Sequence, residues 1–142
     1  MYMKAITISA FFPIITSTFY KNTLFISQLK HRHLASAFAA GRVHAQISWI
    51  EGIALSSIEA AMSGCTPVVA DRAGEIEYYA EHGGYANPGS VESIRKRIVS
   101  AWKNHASEVR SETKKYMQGR YTFERAAEQT LAAYRKALGG EH

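Results

Sequence analysis

Two carboxylates, Glu51 and Glu59, stand with seven residues between them in the stretch Ser48 to Ala70, SWIEGIALSSIEAAMSGCTPVVA. An ionised carboxylate only accepts hydrogen bonds, and its two oxygens can take both hydrogens of a vicinal diol. Ser48 adds a hydroxyl that suits a loop hydrogen bond as well as it suits a ligand. Ser56-x-x-Glu59 also spells a capping box, in which Glu59 would fold back onto the Ser56 amide. Other reactive side chains point less clearly to chemistry. His31, His33 and His44 have no Cys or Asp near them and no metal-motif spacing, so they read as solvated or core histidines, and no metal is expected. Cys65 has no neighbouring Lys or His to activate it and reads as a packed thiol in a turn.

The elements that must position the two glutamates follow from the pattern around them. Val43 to Trp49 reads as a strand that delivers Ser48 and Glu51 to its carboxyl end. Leu55, Ile58 and Met62 form one apolar stripe of a helix, which Gly64 is placed to end. Pro67 to Ala70 is a short β-branched run suited to a strand buried on both faces. Upstream, Ala5 to Phe12 and Thr23 to Ile26 are plausible strands, and His33 to Ala40 is a helix closed by Gly41. Downstream, a loop over 71–74 precedes a helix from Glu75 to Glu81, in which Glu77 is expected to play a structural part. A brief strand at Tyr85-Ala86 leads to the Pro88-Gly89 turn. Ser90 can cap a helix with apolar positions Val91, Ile94, Ile98, Val99 and Trp102. A helix over Ser107 to Met117 and a last one after Thr122 complete the chain, the last with Phe123, Ala126, Ala127, Thr130, Leu131, Tyr134 and Leu138 on one face. Strand and helix alternate through the middle, which argues for a parallel sheet.

The ordered series Ser48, Glu51-Gly52, Leu55, Glu59-Ala60, Gly64 to Val69, Ala73 to Glu77 and Asn87-Pro88-Gly89 resembles the donor site of the group 1, retaining GT-B glycosyl transferases, which carry a Glu-x7-Glu motif. Tyr121 to Arg125 and the helix after them resemble that family's C-terminal helix, and the similarity spans about residues 34 to 138. This sequence departs from the pattern at Ala54, where glycine is usual, and at Ile47 and Ser56, where proline is. Ser90 stands in place of an aspartate, and there is one residue more between Glu59 and Pro67.

The resemblance implies an α/β fold, a Rossmann-like parallel sheet flanked by helices, corresponding to the C-terminal half of a GT-B enzyme. Residues 1–33 would be a poorly readable N-terminal segment and 34–142 the domain that binds a nucleotide-diphosphate sugar. Glu59 would hold the ribose diol, and Glu51, as the catalytic residue, the hydroxyls of the donor sugar. Gly52 and the amides from Ile53 through Ala54 to Leu55 would face the diphosphate at a helix N-terminus, whose dipole favours an anion. No cofactor is implied. The basic pair that family members carry at the start of this domain has only Lys21, Lys30 and Arg32 as local candidates. The chain thus reads as a truncated hexosyltransferase-like enzyme, inactive alone. It would meet a sugar or lipid-linked acceptor through a missing N-terminal domain, and would self-associate or need a second chain. The competing reading is a catalytically silent module that binds a nucleotide or contacts another protein.

Composition bounds the remaining classes. At 142 residues with 46% apolar and 20% charged residues, the chain reads as one globular domain. A lone Cys permits no internal disulfide and suits a cytoplasmic location, with peripheral attraction to anionic lipid as a further possibility. The net charge is +5, yet residues 51–90 hold six carboxylates against Arg72 alone. No nucleic-acid motif accompanies the basic residues, which read as solvated helix faces, so no nucleic-acid partner is expected. The apolar start, residues 1–20, reads as a buried strand or a targeting segment.

Overall fold

The computed structural model describes Ala5–Ile8, Thr23–Ile26 and residues 29–139. The choice between strand and targeting segment for residues 1–20, the strand beyond Ile8 and Lys21 therefore lie outside the described residues. Strands β1 (Ala5–Ile8) and β2 (Thr23–Ile26) form a parallel ladder of their own. A second, three-stranded sheet has the order β3 (Val43–Gln46), β4 (Thr66–Ala70), β5 (Gly84–Ala86), with every pairing parallel.

The central strand β4 sets the layers. Successive side chains of a strand point to opposite faces, and both Val68 and Val69 are fully buried. Val68 packs with Ala86, Val43 and Ile47 against Ile94, Ile98 and Ala101 of α4 (Val91–Lys103). Val69 packs with Ile58 and Ala61 of α2 (Leu55–Met62), Tyr79 of α3 (Ala73–Tyr79) and Met117 of α5 (Ser107–Arg120). Helices thus cover both faces, as a parallel sheet requires. Pro67 is tolerated inside this central strand. The Thr66 amide donates to Arg42 O on the β3 side, so Pro67 alternates to the β5 side. There the ladder begins only at Val68–Gly84, and the missing N–H removes no sheet bond.

Local signals explain the helix ends. Gly64 takes φ +98° after α2, a conformation that favours glycine, and Arg110 Nε donates to its carbonyl at 3.1 Å. The Ser90 hydroxyl accepts from the Ser93 amide, and the Thr122 hydroxyl from the Arg125 amide, starting α4 and α6 (Phe123–Ala137). A further helix, α1 (His31–Ala40), packs Phe38 against Ala60 and Cys65. The Cys65 thiol donates to Phe38 O at 3.0 Å, and burial pushes its pKa up to about 11, as an inert packed thiol should behave.

Several sequence expectations shift. β3 ends at Gln46 and not at Trp49, because Ile47 to Ala54 leave the ladder to form the loop that reaches α2. α1 begins at His31, two residues early. α3 begins at Ala73, so the second half of the expected loop belongs to its first turn, and a 3-10 turn over Ala80–His82 replaces the helix end. On α4 the inward stripe runs through the partly buried Ile94 and Ile98 and the buried Ala101, while Val91 and Val99 are exposed. The last helix forms, but its apolar stripe meets no cover among the described residues: Phe123 is 93% and Leu138 86% exposed. Met117→Ala should therefore lower unfolding free energy in urea by about 2–5 kcal/mol, against at most about 0.5 kcal/mol for Phe123→Ala. Equal effects would show that α6 packs in solution as tightly as α5.

Candidate functional site

The side-chain amide of Gln46, the last residue of β3, ties the motif together. Its Nε2 donates to Glu51 Oε2 at 3.0 Å, and its Oε1 accepts from Ser56 Oγ at 2.6 Å and from Ser57 Oγ at 3.3 Å. One amide thus holds the loop carboxylate and the first turn of α2 in a single arrangement. Ser56 spends its hydroxyl on Gln46, and α2 starts at Leu55 behind Ala54 with no side-chain cap. The capping box is not formed.

Freed from that role, Glu59 is half-buried on α2, and its Oε1 lies 3.8 Å from His31 Nε2 on a largely exposed ring. Glu59 also lines a groove of about 1200 Å³ together with Ile53, Leu55, Tyr116, Arg120 and Tyr121. Glu51 does not line that groove. It sits exposed in the loop after β3, separated from Gln46 by four residues and tied back to it at the strand end, so this groove takes Glu59 and not both glutamates as expected. Ser48 is half-buried in the same loop, and Gly52 and Ile53 are exposed.

The amides expected to face an anion are only partly free. The Leu55 N–H donates to Ile53 O at 2.9 Å, and Ala54, which holds the N-cap position, is buried. Its carbonyl already accepts from Ser57 N and Ile58 N, which closes the first turn.

Glu75 is the residue whose importance the sequence pattern concealed. It lies in the first turn of α3, is 3% exposed, and its Oε2 has no hydrogen-bond partner. Burial raises its pKa above the ordinary carboxylate range, and the Glu51 carboxylate raises it further. The Tyr79 hydroxyl, one helical turn on, is also buried without a partner, and its pKa is raised by burial and then by Glu75. Glu77, by contrast, is exposed. The sole sign of Glu75 in the sequence was its place inside Ala73 to Glu77. Its burial depends on α3 docking, which no local spacing reports.

Among the described residues no cluster of three or more His, Cys, Asp or Glu could hold a metal ion. His44 is half-buried, its ring edge-on to Phe38 at 5.4 Å, and burial lowers its pKa. No helix among the described residues is long and apolar enough to cross a membrane.

No protein-family model and no curated protein matches the chain. Among solved structures, it is similar to sucrose-phosphate synthase from Thermosynechococcus elongatus, with a TM-score of 0.74 at 21% identity. The match covers 84% of this chain and 31% of that one, so the chain spans less than a third of that protein's length. At this identity the likeness establishes the fold: a Rossmann-like parallel α/β arrangement of the GT-B kind.

The buried Glu75 sets a pH dependence whose sign is fixed. The folded chain binds the Glu75 proton more tightly than the unfolded chain does. The stability this contributes is complete below the ordinary carboxylate range and is lost as pH rises through the raised folded value. Glu75→Gln should therefore raise the melting temperature at about pH 7–8, with a gain that shrinks toward about pH 4. Circular dichroism melts across that range measure it; a gain absent at neutral pH would contradict the burial of this carboxyl.

Proposed function

We propose that this domain is the donor-binding part of a glycosyltransferase, taking a nucleotide-diphosphate sugar for retaining transfer of a hexosyl group. The observation that carries the reading is the position of Glu59: on α2, released from the capping box and directed to a groove, in a fold similar to that of a sucrose-phosphate synthase. In this reading Glu59 accepts from the ribose hydroxyls. Its distant pairing with an exposed His31 is too weak to compete with two charge-assisted hydrogen bonds.

Glu51 takes hydroxyls of the donor sugar, and Gln46 fixes its orientation by holding one oxygen, so that a carboxylate on a loop meets the sugar without searching. Gly52, Ile53, Ala54 and Leu55 approach the diphosphate at the start of α2, with Ser48 as a hydroxyl beside them. Backbone dipoles, not lysines, then supply the attraction for the anion, which suits a region holding Arg72 as its lone basic residue. The engaged Leu55 amide and the buried Ala54 favour a second reading, a relative that binds a nucleotide weakly and transfers nothing. An acceptor sugar or lipid-linked sugar would be presented from a second domain or a second chain across a cleft that excludes water.

Calorimetry with uridine and guanosine diphosphate sugars distinguishes these readings. Glu59→Ala should weaken binding about tenfold or more, because hydrogen bonds to a charged group contribute about 1.5–3 kcal/mol. Unchanged affinity with unchanged folding would rule out the ribose role. The chain alone should bind donor without turning it over, and robust transfer to sugar or lipid acceptors by a monodisperse monomer would contradict the need for a second domain.

A further inference from the structure

At the carboxyl edge of the sheet, where open α/β folds bind their ligands, the three loops that follow β3, β4 and β5 meet on one side chain. Trp49, in the loop after β3, lays its benzo edge against Gly89 in the turn after β5, so closely that a Cβ on Gly89 would come within 2.9 Å of the ring. That turn is itself fixed, since the Gly89 amide donates to Asn87 Oδ1 at 2.9 Å. The guanidinium of Arg72, in the loop after β4, lies over the indole at 5.6 Å from its centre, and its Nε is 3.9 Å from an Asp71 oxygen. Yet Trp49 remains 65% exposed, and Ile50 beside it is 93% exposed. Trp102 shows the other outcome: it is half-buried under the Arg42 guanidinium.

An aromatic ring that is anchored from two loops and still open has already lost the freedom that binding would otherwise cost it. The electron-rich face of indole attracts polarised C–H groups. A pyranose presents such a face, ringed by hydroxyls that need acceptors, and the same three loops carry acceptors: Glu51, Asp71 and Asn87. The local charge decides between ligands. Residues 51–90 hold six carboxylates and Arg72, which already faces Asp71, so away from the backbone dipoles at the start of α2 the side chains around Trp49 favour a neutral ring over a further anion. We infer that Trp49, clamped between Gly89 and Arg72, is a stacking platform for a neutral pyranose ring. That this sugar is a substrate rests on the donor-site reading above; that it binds here does not.

The test uses the full chain labelled with nitrogen-15, in which Trp49 and Trp102 give two indole signals that Trp49→Phe assigns. It is titrated separately with maltotriose, cellotriose and mannotriose, with UDP-glucose and with UDP. Trisaccharides should shift the Trp49 signal and leave Trp102 in place, which identifies an acceptor glycan; a shift with UDP-glucose alone identifies the sugar of the donor. Trp49→Ala should weaken the responding sugar about tenfold or more, and Trp49→Phe by no more than about threefold. Gly89→Ala, which must displace the indole, should weaken it as well, with the Trp102 signal reporting an intact fold. The inference is overturned if no sugar moves the Trp49 signal, if UDP moves it as far as UDP-glucose, or if Trp49→Ala binds as the parent does. A Trp49 shift with trisaccharides but no calorimetric response to any nucleotide would sink the donor-site reading and leave the platform standing.

Discussion

Val68 and Val69 are adjacent in sequence, point to opposite faces of the sheet and are both excluded from water. Neither burial is possible unless helices cover both sides, and that requirement organises everything else. It draws α4 to one face and α2, α3 and α5 to the other. Parallel strands joined by crossing helices must all turn the same way, so the loops after β3, β4 and β5 emerge together at one edge. The convergence of Glu51, Arg72 and Asn87 follows from that apolar constraint. No direct attraction between these residues is needed to bring them together.

At that edge the polar groups obey a different logic. Gln46 is neutral and carries both a donor and an acceptor, so it alone can satisfy a carboxylate on one side and two hydroxyls on the other. A glutamate there would repel Glu51, and a leucine would leave Ser57, which is fully buried, without a partner. Glu75 is the opposite case, a carboxyl kept from water close to a second carboxylate. Such an arrangement persists because the packing of Tyr79 and its neighbours outweighs it.

The parts of this architecture that were legible in the sequence are those whose cause is local. The glycine that ends α2, the Ser90 cap, the helix start after Thr122 and the apolar run of β4 each depend on a few adjacent residues, and each stands where expected. The ordered motif series also pointed to the right fold class. What escaped was set by partners distant in the chain. Ser56 and Glu59 spell a capping box, but Ser56 meets Gln46, ten residues back, and the helix starts without it. The strand reading carried Val43 too far, to Trp49, because the apolar Ile47 and Trp49 continue a pattern that the ladder does not. Glu75 looked like its neighbour Glu77 until α3 docked and buried one of them. Trp49 gave no signal of its own, since Gly89 and Arg72 approach it only in three dimensions.

The bare flank of α6 has a consequence for how the molecule breathes. A helix of 15 residues is marginal in water when nothing packs on it. Here it leans on the Thr122 cap and the Arg125–Glu128 pair, each worth a fraction of a kcal/mol to about 1 kcal/mol. Its amides can therefore open to solvent and exchange hydrogen while β4 and α2 stay closed, so the chain holds two regions of unequal local stability. Whatever surface comes to lie on Phe123, Tyr134 and Leu138 will quiet that motion, and the slowing of exchange along one helix would mark its footprint.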